Sequence, residues 1–204
     1  MIKDKKRYKF LREGLKSEYG YFVWEIGKWY KHEGEVKLCE SGFHCSKEIG
    51  QAFKYVPGEI LAEVEVRGKH DEGSEKDSWE EMRIVKAWYW KKVNSVSIAI
   101  FSAELCIENY EKQYPNDNRP RLAIEAAKTW LANPTKENEV SARSAASSAA
   151  WSARSAAQSA AESASSAVWS AQSASSAAAE AAVMKKIYQR FDEELTKLEE
   201  YDKR

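Results

Sequence analysis

The chain has 204 residues, of which 43% are hydrophobic and 12% aromatic, and its 32 basic residues equal its 32 acidic residues in number. This composition is enough for a packed core, and the balanced charge argues against nucleic acid or an anionic membrane as a partner. The longest uncharged tract is rich in serine, no apolar signal core follows the basic start, and the three cysteines have no framework spacing. We therefore expect no membrane span and a reducing compartment, the cytoplasm.

The first part of the chain has the pattern of a small β-containing domain. All nine glycines lie at or before Gly73, and β-branched and aromatic runs between them predict strands at residues 9–11, 20–24 and 60–66. The third run alternates, which predicts one buried face. That face consists of Ile60, Ala62, Val64 and Val66.

A short helix and a loop are predicted within the same domain. Ser46 is a candidate N-cap for a helix that ends before the Pro-Gly pair at residues 57–58. The polar, turn-rich segment 69–78 predicts a loop, and a further strand is predicted at residues 82–90.

After Asn94 the apolar spacing becomes helical. Residues 114–118 predict a turn between two helices, and Asn118 is a candidate N-cap for the second helix, at residues 121–132. The predicted apolar stripe of that helix consists of Leu122, Ala123, Ala126 and Trp130.

Residues 141–183 contain 19 alanines and 14 serines. The alanines recur three or four residues apart, which places a stripe of small side chains along a helix and lets helices approach closely. We expect one long helix or a helical hairpin over residues 137–190, and we favour a break near residues 160–165. Trp151 and Trp169 are predicted anchors that pack within the protein or contact a partner.

These patterns predict an α+β fold with two domains. Residues 1–92 form an aromatic-rich domain with a mixed or antiparallel sheet and one short helix. Residues 93–204 form an all-helical domain, as a bundle or a long hairpin.

No motif in the sequence specifies a reaction. The glycines form no phosphate-binding loop, and Cys39, His44 and Cys45 lack the paired spacing of structural zinc sites, so we predict no cofactor and no metal. Adjacent His44 and Cys45 on a strand point to opposite faces, which argues against a Cys–His nucleophile. Trp88 and Trp90 share a face of a strand and are either core or a stacking platform for a planar ligand.

The first part of the chain resembles an uncharacterised domain of phage proteins. The resemblance lies in the Leu-Cys-Glu-Ser-Gly-Phe-His motif at residues 38–44, with support from residues 27–30 and 55–58. It covers most of residues 7–90 and implies no known activity.

The helical part resembles a bacterial and phage family of immunity proteins. The similar segments are residues 110–115, residues 118–130 and the Ala-rich helices, within residues 104–190. This resemblance implies a protein that binds and neutralises something.

A fainter likeness is to the ADP-ribosyltransferase fold, and it rests on residues 43–46, 52–55 and 60–66. It implies either a degenerate fold that binds an NAD-derived nucleotide or an active enzyme. The residues of such an enzyme are Arg12, Ser46 and Glu80 or Glu81.

We therefore expect a phage-type accessory protein that acts in the cytoplasm of a bacterial host by binding. The most specific version of this hypothesis is a non-enzymatic anti-defence inhibitor or sponge, whose partner is a host protein or a nucleotide-like small molecule. The alternatives are an ADP-ribosyltransferase-like enzyme and a structural protein that forms a homo-oligomer through the alanine stripe. The predicted ligand-binding residues are Arg12, Phe43, His44, Ser46, Tyr55, Trp88 and Trp90.

Overall fold

The computed structural model describes residues 5–20, 22–56, 58–149 and 173–201. An antiparallel five-stranded sheet with one short helix is followed by further helices, which confirms the predicted α+β fold class. The strands are β1 Lys5–Leu11, β2 Tyr30–Lys31, β3 Phe43–Ser46, β4 Ile60–Glu72 and β5 Lys76–Tyr89. The helices are α1 Ile49–Tyr55, α2 Lys92–Gln113, α3 Arg119–Ala132, α4 over residues 136–149 and α5 Ser173–Leu195.

Three expectations about the alanine-rich tract lie outside the described residues. They concern the anchors Trp151 and Trp169, the break near residues 160–165, and the choice between one helix and a hairpin.

The chain divides into two compact units. The first unit consists of Met1–Lys91 together with Phe191–Arg204, and the second of Lys92–Arg190. Residues 191–201, which the predicted boundary assigns to the helical domain, thus lie in the first unit. Two kinds of contact hold them there. The Phe191 ring lies 5.7 Å from that of Trp90, and the segment ending at Tyr201 pairs with the end of β5.

Strand β5 is paired along both of its edges. One edge forms a long hairpin with β4, from Ile60↔Tyr89 to Glu72↔Asp77. The other edge meets β3 at residues 76–79, then β2 at residues 81–82, and finally the C-terminal segment at Trp88↔Glu200. Strand β1 pairs with both β4 and β3, so β5, β4, β1 and β3 form a closed ring of paired strands.

The inside of this ring is a hydrophobic core that also contains the close ion pair between Arg7 and Asp77. The core includes Trp24, Val64, Trp79, Met82 and Ile84. Among these apolar groups, Arg7 Nε donates to Asp77 Oδ2 at 2.7 Å, and the Asp77 side chain is completely buried. A buried charge needs such a partner, because moving it out of water without one is costly.

Helix α1 covers the outer face of the sheet. The Phe10 ring on β1 lies 5.3 Å from Phe53 of the helix and 5.4 Å from Trp90. The N-cap of α1 is Glu48, whose capping box with Gln51 satisfies the first backbone groups of the helix. The predicted N-cap, Ser46, is instead a buried residue of β3.

The structure differs from the predicted secondary structure in two segments of this domain. Residues 69–72 and 76–78, predicted as loop, belong to the β4–β5 hairpin, whose turn is closed by the Gly73 N–H donating to the Lys76 carbonyl at 2.9 Å. Their polar side chains are typical of a loop, but backbone pairing with the neighbouring strands makes these residues part of a strand. Of the predicted strand at residues 20–24, the described residues 20 and 22–24 make only an isolated bridge at Val23. The predicted strand 60–66 is confirmed within β4.

In the second unit, Ile100 and Ile107 of α2 form a small core with Ile124 of α3. The buried face of α3 therefore differs from the predicted stripe. It includes Ile124, whereas Leu122 of the predicted stripe is 54% exposed. Asn118 is the N-cap, yet the Arg119 N–H is bound by the Asp117 carboxylate rather than by an asparagine side chain. No helix in the described part of the chain is long and apolar enough to span a membrane.

We expect Asp77→Ala to reduce the free energy of unfolding by about 3–5 kcal/mol, because it leaves the buried Arg7 guanidinium without its close partner. The matched control is Glu81→Ala, which removes a surface ion pair with Arg67 at 2.7 Å and should cost no more than about 1 kcal/mol. Urea denaturation followed by tryptophan fluorescence measures both. Equal losses in the two variants would contradict the assigned role of the buried pair.

Candidate functional site

A cleft opens in the first unit where β3 separates from β1. The two strands pair at a single position, Tyr8↔Ser46. Beyond it, Lys9 Nζ crosses the gap and donates to the backbone carbonyl of His44 at 2.9 Å. The cleft has a volume of about 550 Å³, and a small cavity of about 60 Å³ shares several of its lining residues. The cleft is within the range of small-molecule sites, about 300–1,000 Å³.

One wall of the cleft is aromatic. The Trp24 ring lies 4.9 Å from that of Phe22 and 5.1 Å from that of Phe43, and its Nε1–H donates to Ser17 Oγ at 2.9 Å. Trp24 is buried, whereas Phe22 is 36% exposed and lines the cleft. A packed aromatic group of this kind offers a planar ligand a rigid apolar surface.

Lys9 occupies an inward position of β1. The register pairs Arg7 with Val64, Lys9 with Ala62 and Leu11 with Ile60, and these three β4 residues are fully buried. Lys9 therefore shares a face with the core, as Arg7 does, because paired residues lie on the same side of a sheet.

Unlike Arg7, Lys9 has no carboxylate within 4 Å among the described residues. Its Nζ lies 6.0 Å from the centroid of the Trp24 ring, and its one hydrogen-bond partner there is the His44 carbonyl. Burial lowers the pKa of Lys9, since the surroundings disfavour the charged form.

A second ammonium group faces the same space. Lys76 lines both cavities, and its Nζ lies 4.5 Å from the centroid of the Tyr55 ring. In the described part of the chain no carboxylate lies within 4 Å of it. The neighbouring Glu75 carboxylate pairs with Lys54 at 2.8 Å and accepts a hydrogen bond from Tyr55 at 2.9 Å.

The imidazole of His44 lines the cleft together with these two lysines. Its Nε2 accepts a hydrogen bond from the Cys39 N–H at 2.9 Å, so that nitrogen carries no proton. Burial lowers the pKa of His44, and the positive charges of Lys9 and Lys76 lower it further. We therefore expect a neutral imidazole at pH 7.

The carboxylates at the edge of the cleft are already paired. Glu18 accepts two hydrogen bonds from Arg12, both at 2.6 Å, and Glu40 pairs with Lys37 at 2.7 Å. Two lysine charges are thus left uncompensated in the described lining. A lining with this balance of charges would favour an anion.

The structure brings together four of the predicted ligand-binding residues. Phe43 and His44 line the main cleft, Ser46 lines the small cavity, and Tyr55 lines both. Arg12 is exposed and approaches the site only through Glu18.

The two predicted tryptophans lie elsewhere in the first unit. Trp90 is buried against Phe10 and Phe191, and Trp88 is half-buried where β5 pairs with Glu200. Neither tryptophan lines the cleft, because both lie at the end of β5 and make their contacts there. The structure therefore does not place them as a stacking platform.

The sequence reasoning missed Lys9, Lys76, Phe22 and Trp24. Lys9 gave a weak signal, since period-two alternation on β1 places it on the same face as Leu11. Lys76 lies in the segment that was predicted as a loop, where lysine is common, so nothing in the sequence selected it.

The residues of the alternative enzyme are not brought together. Ser46 is opposite Lys76, whereas Glu80 is four residues further along β5, about 13 Å at the rise of a strand. Glu80 accepts a hydrogen bond from the Lys69 N–H at 2.9 Å, which lowers its pKa, and Glu81 pairs with Arg67.

The cysteines form no metal centre in the residues that the structure describes, where no group of three or more His, Cys, Asp or Glu side chains has a suitable arrangement. Burial raises the pKa of the Cys45 thiol to about 12. Cys39 is exposed and contacts His44 through its backbone N–H.

The comparisons with known proteins divide the chain in two. Residues 5–95 match the family model described as a domain of unknown function (DUF7666). Residues 92–190 match the one described as "Imm-5 like putative immunity protein". These matches confirm the resemblance of the first part to an uncharacterised domain and of the helical part to an immunity-protein family. No curated protein and no solved structure matches the chain.

We expect Lys9→Met to stabilise the fold at pH 7, because it removes a charge that burial disfavours. The folded state holds the pKa of Lys9 below 10.5, so the unfolded chain binds more protons between the folded pKa and 10.5. Wild-type stability therefore rises with pH in that window, and the advantage of the variant shrinks.

Urea midpoints of both proteins between pH 7 and pH 10.5 measure this difference. The control is Lys86→Met on the exposed face of β5. A Lys9→Met protein that is less stable than wild type at pH 7, or an advantage that does not change with pH, would contradict the assignment.

Proposed function

We propose that this protein is a phage-type accessory protein that works by binding, and that its cleft sequesters a nucleotide-like small molecule of the bacterial host. In this proposal it acts as an anti-defence sponge. The observation that carries the proposal is the Lys9 ammonium, which lies on the core face of β1 without a carboxylate partner among the described residues. An apolar side chain would fold more favourably there, so the lysine is explained by an anionic ligand.

The rest of the cleft supports a ligand that combines a negative charge with a planar ring. Lys9 and Lys76 supply positive charge, and Phe22 offers a partly exposed ring beside the buried Trp24. Stacking of a base on an aromatic side chain is worth about 1–3 kcal/mol. A nucleotide has both features.

The geometry favours capture over catalysis. His44 uses Nε2 to accept a backbone hydrogen bond, and Glu80 and Glu81 lie along β5 away from Ser46. A general acid or base must reach the proton that it transfers, and these groups do not converge. The match of the helical part to an immunity-protein family is consistent with neutralisation by binding.

A second candidate function is inhibition of a host protein through the helical unit. It is favoured by the immunity-family match and by an apolar groove of about 430 Å³ between α2, α3 and α4. The groove lining includes Ala103, Cys106, Ile107, Ala123 and Ala146. Self-association through the alanine stripe stays a third alternative.

Native mass spectrometry tests the proposal directly. The full chain is incubated with the small-molecule fraction of a bacterial lysate, and we expect a retained mass shift of nucleotide size. Lys9→Met should abolish the shift, and Lys86→Met should preserve it. If no small molecule is retained, or if Lys9→Met retains it equally, the proposed sponge function is contradicted. Capture of a protein alone would favour the second candidate.

The cysteines locate the bound molecule in the same experiment. Cys39 is exposed and lines the cleft, Cys106 is exposed in the other unit, and Cys45 is buried with its pKa raised to about 12. Iodoacetamide should therefore modify Cys39 and Cys106 but not Cys45 at neutral pH. The ligand fraction should slow modification of Cys39 alone. An unchanged Cys39 rate would place the ligand elsewhere.

A further inference from the structure

The charges of the cleft are unevenly distributed. Lys9 and Lys76 line both the main cleft and the small cavity next to it. Glu18 and Glu40 line the main cleft only. The small cavity therefore has a lining with two cations and no carboxylate, while the main cleft carries both kinds of charge.

The cavity with this cationic lining is small. Its volume of about 60 Å³ is about twice the share of one water molecule in the liquid, which leaves space for a single compact group. His44 and Ser46 line it together with the two lysines. Because the His44 imidazole is neutral, the lysines provide the two positive charges there.

We propose that this small cationic cavity binds the dianionic phosphomonoester of a nucleoside 5′-monophosphate, in preference to the phosphodiester of a cyclic nucleotide. The inference rests on the proposed function and names its ligand class. A monoester carries a charge of about −1.5 to −2 at pH 7, which two ammonium groups balance. A diester carries a single charge and leaves one lysine uncompensated.

The same arrangement disfavours longer phosphate chains. A monophosphate fits its terminal group against Lys9 and Lys76 and directs its base toward the aromatic wall at Phe22. A triphosphate needs more room than the small cavity has. Beyond Lys9 and Lys76, the described lining of the main cleft supplies no further cation for its other phosphates.

Isothermal titration calorimetry with the full chain tests this inference. The probes are the four ribonucleoside 5′-monophosphates, their 3′,5′-cyclic counterparts and their 5′-triphosphates. We expect at least one monophosphate to bind about tenfold or more tightly than its cyclic and triphosphate counterparts, a difference of about 1.4 kcal/mol. Lys9→Met and Lys76→Met should each remove the preference, and Lys86→Met should retain it.

The outcomes separate this inference from the proposed function. Equal or tighter binding of the cyclic or triphosphate forms would overturn the monoester inference and leave the sponge intact. Failure of every probe, with a molecule still retained from the lysate fraction, would have the same effect. Failure of every probe with nothing retained would overturn both.

Discussion

Pairing of β5 along both edges is the constraint on which the rest of the first unit depends. One edge is matched by β4 over nearly its whole length, while β3, β2 and the C-terminal segment share the other. Because these partners are short, β3 follows β5 for only four residues and contacts β1 at a single pair. The cleft is the gap that this arrangement leaves in an otherwise closed ring. Its position therefore follows from strand lengths.

Two basic residues at inward positions of β1 differ in what surrounds them. Arg7 has the buried carboxylate of Asp77, so its charge is compensated within the fold. Lys9 has a carbonyl and an aromatic ring instead. The protein thus holds a half-buried positive charge, without a carboxylate partner in the described part of the chain, before any ligand arrives. Such preorganisation favours binding, since neither the charge nor the wall must rearrange. In the proposed function, an anionic ligand supplies the partner that Lys9 lacks in the described part of the chain.

Local patterns predicted the elements whose apolar side chains show a clear period. The alternation of residues 60–66 gave a strand, and the pattern around residues 121–132 gave a helix. The hairpin at residues 69–78 was missed because its polar side chains are typical of a loop, and backbone pairing of β4 with β5 and of β5 with β3 makes it a strand. Phe43, His44, Ser46 and Tyr55, which the sequence predicted as ligand-binding, line the cleft or the small cavity beside it. Lys9 and Lys76 were not predicted, since the charge of a lysine carries no signal until the register shows what surrounds it.

The central claim is that Lys9 is an uncompensated ammonium at a ligand site, and side-chain NMR measures this directly. In a chain labelled at lysine Cε and Nζ, with Lys9 assigned from the spectrum of Lys9→Met, each lysine is titrated with and without a bound nucleoside monophosphate. We predict that Lys9 titrates at lower pH than the exposed lysines because burial disfavours its charged form. The anion should raise its pKa. A Lys9 that titrates with the exposed lysines and does not respond to the nucleotide would contradict the account.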